Sequence, residues 1–79
     1  MPRVHRLSNS NVYVHARGEH PPPHYHQNGP GWEVVVYVNS LQIREGWAPR
    51  ADLLEGLQWA VQNKSFLLEK WVEYNERDR

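Results

Sequence analysis

The sequence predicts an α+β fold: a small antiparallel sheet of four or five strands packed against a C-terminal helix, one long or two short. Three observations carry this. Short alternating runs dominate before Pro49, apolar residues recur at helical spacing after it, and 79 residues leave room for one hydrophobic core. Residues 1–79 are therefore read as a single domain.

The elements follow in order. "VHRL" at 4–7 and "NVYVHAR" at 11–17 read as two strands around the turn-prone "SNSN". "HYHQ" at 24–27 reads as a third strand. "WEVVVYV" at 32–38 is rich in Val and aromatics and apolar on both faces in its middle, as a central strand should be. Asn39 and Ser40 then form a two-residue hairpin connection to "LQIRE" at 41–45. Beyond "GWAPR", Leu53, Leu57, Ala60, Leu67, Trp71 and Tyr74 form one amphipathic stripe. Pro49 suits the first helical turn, with Asp52 and Glu55 complementing its positive end. The stripe is interrupted near Asn63 and Lys64, where Ser65 offers a cap for a second helix.

Composition narrows the function. Nine Lys plus Arg balance nine Asp plus Glu, so charge does not favour nucleic acid or an anionic membrane as partner. The absence of cysteine excludes disulfides, thiolate metal sites and a Cys nucleophile, and fits a cytoplasmic location. No run has the roughly 20 apolar residues of a membrane span, and the N-terminus lacks a signal-peptide core. Four Trp, four Tyr and one Phe supply large apolar area for a short chain. A protein partner or a homodimer would use any of it left exposed.

The chemistry concentrates in "EHPPPHYHQNGPG" at 19–31. Pro21 to Pro23 favour polyproline II, which puts the α-carbons of His20 and His24 roughly 12 Å apart, too far to grip one ion unless a proline bond is cis. His24 and His26 are two residues apart on a strand, share a face at roughly 6.5 Å, and can both reach an ion such as zinc. The metal candidates are accordingly His24 and His26 with His15, Glu33 or a group from a partner chain. If Val12, Val14 and Ala16 face the core with Val34, Val36, Val38, Leu41 and Ile43, the open face carries Tyr13, His15, Arg17, Glu33, Tyr37 and Arg44. His24 and His26 are placed there too, since burial would demand a partner for every ring nitrogen.

A catalytic reading uses the same face: His24 or His26 as general acid or base, Arg17 or Arg44 stabilising an anionic transition state, Tyr13 or Tyr37 orienting substrate. An RNA- or phosphoester-cleaving enzyme would fit, although neutral charge gives a weak RNA grip. An interaction reading instead uses Trp59, which lies off the helical stripe, with Trp32, Tyr25 and His20 as further contacts.

"MPRVHRL", "EHPPPHYH", a Gly-rich turn, "VVVYV", "LQIREGWAPR" and "LLEKWVEY", in this order, resemble the small bacterial and archaeal proteins grouped as domain of unknown function 4160. The most specific parts are Pro22-Pro23-His24-x-His26 behind Glu19, and Leu67-Leu68-Glu69-x-Trp71. The resemblance implies an α+β domain with a small sheet and a C-terminal helix, and no established activity. Gene neighbourhoods in the family imply toxin–antitoxin modules and hence a protein partner. Gln27, where members tend to have an apolar residue, and Trp32, where small or polar residues are common, depart from its pattern.

The leading expectation is a small cytosolic regulatory or protein-interaction module, one half of a toxin–antitoxin pair, working by contact rather than turnover because no complete catalytic constellation is visible. A histidine-dependent enzyme, with or without metal, is the second. The third is a mobile-element inhibitor of a host protein that uses the helix surface around Trp59 and Gln62.

Overall fold

A computed structural model describes residues 3–16 and 19–75. Strands β1 (Arg3–Arg6), β2 (Asn11–Tyr13), β3 (His24–Gly29), β4 (Trp32–Tyr37) and β5 (Ile43–Gly46) pair antiparallel in chain order, forming one five-stranded meander. Helices α1 (Arg50–Gln62) and α2 (Lys64–Asn75) follow. The predicted α+β class holds, with two helices rather than one.

Side-chain alternation sorts the sheet into two faces. Register sets Val12 opposite Gln27 and Gln27 opposite Val34, with Tyr25 opposite Val36, so these residues share one face. They are fully buried in the core with Ala60 of α1 and with Leu67 and Trp71 of α2. The other face carries the row Tyr13, His26, Val35 and Glu45, and beside it His24 opposite Tyr37.

Turn chemistry fixes the central hairpin. Gly29 pairs with Trp32 across Pro30 and Gly31, and Gly31 has φ +79°, the combination a type II turn requires. The next connection corrects the expected two-residue turn. Tyr37 N–H donates to the Gln42 carbonyl and Leu41 N–H to the Tyr37 carbonyl, so the chain turns over residues 38–41, with Leu41 at φ 63°. Leu41 takes this left-handed conformation while packing against the core. A β-bulge then sets Ile43 opposite Val36 but Glu45 opposite Val35, leaving Arg44 as the extra residue. Ile43, expected in the core, is 47% exposed on this edge strand.

The helices break at Asn63. Its side chain donates to the Trp59 carbonyl and its backbone N–H to that of Ala60, while its own carbonyl accepts from Leu67 N–H at the start of α2. Asn63 thus ends one helix and begins the next; Ser65 lies inside α2 instead of capping it. Pro49 is the N-cap of α1, one position ahead of the expected first turn.

Gln27, the departure from the family's apolar pattern, is buried in the core with its amide nitrogen paired, while its Oε1 has no hydrogen-bond partner among the described residues. Its Nε2 donates to Ser10 Oγ at 3.0 Å and to the Asp52 carbonyl at 2.9 Å. Gly56 of α1 makes the room, because a Cβ there would collide with the Gln27 carboxamide. Gly56→Ala should therefore destabilise by about 1–3 kcal/mol through overpacking, reversing the roughly 1 kcal/mol that alanine gains over glycine in an open helix. Urea denaturation of the two chains decides the sign.

Candidate functional site

The second sheet face assembles a histidine–glutamate cluster. β3 presents His24 and His26, β2 leads into His15, and Glu19 reaches in from ahead of the three prolines. Three groups converge: one ligand atom each from His15, Glu19 and His26, all within 4.8 Å of one another. Ligands bound tetrahedrally at about 2.0–2.1 Å from an ion stand roughly 3.3 Å apart, so small side-chain rotations would close the set. His26 Nε2 already lies 3.5 Å from Glu19 Oε1.

Neighbouring groups hold each member in place. His26 Nδ1 is 3.0 Å from Glu33 Oε2, a carboxylate–histidine contact that fixes the ring and turns Nε2 toward Glu19. His15 stacks on His26, ring centroids 3.7 Å apart and planes 8° from parallel. Its Nε2 is buried and, among the described residues, has no hydrogen-bond partner. Asn75, the last residue of α2, donates to the His15 carbonyl at 3.0 Å and accepts from Glu19 N–H at 3.2 Å. One side chain thus braces the two residues that flank the approach to β3.

Electrostatics favour the metal-binding forms of two of the three groups, His15 and Glu19. Burial, reinforced by the neighbouring His26, holds the His15 imidazole below its ordinary 6.5, so it is neutral at neutral pH. Burial pushes the Glu19 carboxyl up, but hydrogen bonds from His24 and His26 outweigh it and hold the group below its ordinary 4.5. A neutral imidazole and an ionised carboxylate are the forms that bind metal.

His24 corrects the sequence expectation. It is 1% exposed rather than on the open face, its ring 4.9 Å from that of Trp71. Its nitrogens are spoken for: Nδ1 donates to the Pro22 carbonyl at 2.9 Å, and Nε2 lies 2.8 Å from Glu19 Oε1 and 3.2 Å from an Arg44 nitrogen. His24 positions Glu19 and has no free lone pair to offer. The bulge at Arg44 accounts for that third contact, since the extra residue lets its side chain turn to the histidine face. The Pro21–Pro22 peptide bond is cis, so the proline run is not the continuous polyproline II helix expected.

The remaining candidates are dispersed. Glu33, expected as a ligand, braces His26 instead. Tyr37 stands across from His24 in the register and is not one of the three converging groups, and Arg17 lies outside the described residues. Trp59, expected in an exposed patch, is half-buried and stacks on His5 with centroids 4.5 Å apart. Trp32 lies over Gly29. Tyr25 is wholly buried and offers a partner no surface; burial raises its phenol well above the usual range. His20 is exposed. Glu19 is the site residue that spacing arguments missed, and the signal was its place at the head of the Glu19-to-His26 motif.

A depression of about 380 Å³ opens onto the cluster, lined by His15, His26, Glu33, Val35, Glu45 and Gly46. Gly46 has φ +85°, and a Cβ there would collide with the Glu33 carbonyl, so glycine is what lets β5 close this wall. No curated protein and no solved structure matches the chain significantly. Residues 10–72 match the family described as "Domain of unknown function (DUF4160)", and the chain belongs to that family.

Proposed function

We propose that the protein is a metal-dependent hydrolase whose divalent transition-metal ion is held by His15, Glu19 and His26. The observation that carries the reading is the convergence of two histidines and one carboxylate beneath an open depression. Two His and one Glu, with a fourth position left to water or substrate, is a ligand set of catalytic zinc; a structural site closes all four positions. Glu33 on His26 Nδ1 supplies the outer-shell carboxylate such a ligand uses. Glu33 and Glu45 make the entrance acidic. That favours neutral or cationic acyl substrates over a polyanion such as RNA.

Zinc titration by calorimetry on the purified chain tests the reading. One equivalent should bind and be removed by a chelator, with Tm rising on loading. Absence of binding at micromolar protein removes the reading.

A regulatory or interaction module, one component of a toxin–antitoxin pair, is the second reading. Trp47 is 60% exposed, and Leu54, Val61 and Val72 stand exposed on the helices. Scattered apolar side chains are weaker support than a contiguous patch. Sedimentation of the purified chain tests the homodimer: a monomer throughout the micromolar range excludes self-association there. Among the described residues, no helix is long and apolar enough to cross a membrane.

A further inference from the structure

The geometry points to Glu45 as the general base of the centre, the carboxylate that would take a proton from metal-bound water; this rests on the metal-dependent reading above. Three carboxylates surround the cluster, and two are committed. Glu19 is among the converging ligands, and Glu33 is engaged with His26 Nδ1. Glu45 lines the same depression, and its ion pair among the described residues is with Arg44 Nε at 4.0 Å, a long pair between adjacent residues that leaves the carboxylate uncommitted to the cluster.

Register places it suitably. His26, Val35 and Glu45 form one row on three neighbouring strands, so their side chains rise from the same face. Strands about 4.8 Å apart put the His26 and Glu45 backbones roughly 10 Å from each other, with Val35 as an apolar floor between them. A ligand on one side and a carboxylate on the other leave space for a water and an acyl group. Glu45 is also the residue just after the bulge, which sets it opposite Val35.

The step conserves atoms and charge. Glu45 accepts one proton from the bound water as the water oxygen bonds to the acyl carbon, and the carbonyl π pair moves onto the carbonyl oxygen. When that pair returns, the bond to the leaving group breaks and Glu45 gives the proton to the departing heteroatom. The products are a carboxylic acid and an alcohol or amine, Glu45 ends ionised, and only water is consumed.

Glu45→Gln separates this role from the metal reading. In the zinc-loaded full chain, with p-nitrophenyl acetate as probe, the variant should keep zinc affinity within about threefold and lose roughly 10²–10⁴-fold in kcat. In the cobalt(II)-loaded chain, loss of the nearby negative charge should shift the visible-spectrum transition of metal-bound water to lower pH. This second readout holds even where the ester is not turned over. An unchanged cobalt titration, or an unchanged rate where the wild-type chain turns the ester over, overturns the role of Glu45 while leaving the metal centre intact. Failure of the wild-type chain to bind zinc or cobalt overturns both.

Discussion

His26→Ala should abolish stoichiometric zinc binding, lowering affinity by more than the 10–100-fold that removal of an outer-shell partner costs. His26 occupies the middle of the cluster: Nε2 faces Glu19, Nδ1 is braced by Glu33, and the ring supports His15 by stacking. The substitution removes one ligand and unseats another. His26 is half-buried on the sheet face outside the core, so the fold should persist and the loss should appear in the calorimetric isotherm rather than in the circular dichroism spectrum. Glu33→Gln provides the graded comparison, because it weakens the brace and leaves all three ligands; it should cost about 10–100-fold. A His26→Ala chain that binds zinc as the wild type does would show that the three convergent groups are not the ligands.

The half of this site that lies on strands was legible in the sequence, because strand alternation is local. His24 and His26 share a face, as the period of two requires, and Val12, Val34 and Val36 share the other. Burial was not legible. His24 is enclosed by Trp71, a residue 47 positions downstream, whose stripe on α2 was recognisable but whose landing point was not. Glu19 shows the same limit more sharply. Read as extended chain, five residues separate it from His24 by about 15 Å, yet its carboxylate lies 2.8 Å from the His24 ring. Asn75 holds the Glu19 backbone from the far end of the sequence, a contact no local pattern encodes. The hairpin after β4 failed for a different reason: Asn39 and Ser40 have the chemistry of a tight turn, but burial of Leu41 against the core draws the chain into a longer one.

The apolar stripe that made the helices predictable also bears on how firmly the site is built, and Trp71→Ala should expose the connection. Trp71 is the largest fully buried side chain, and its ring covers that of His24. Truncating a buried tryptophan costs about 3–5 kcal/mol. A domain of this size commands roughly 4–12 kcal/mol in total, at 0.05–0.15 kcal/mol per residue. The variant should therefore be largely unfolded near 37 °C, or survive with most of its margin gone. Trp71→Phe retains an aromatic face over His24 and should lose substantially less. Urea denaturation followed by circular dichroism measures both, and a Trp71→Ala cost below about 1 kcal/mol would mean that α2 contributes little to the core. Zinc added in excess should recover part of the Trp71→Ala loss, because an ion that binds only the folded state stabilises it by mass action. Recovery would tie metal loading to the packing of α2 over β3, the contact that encloses His24 and so holds Glu19 beside His15 and His26.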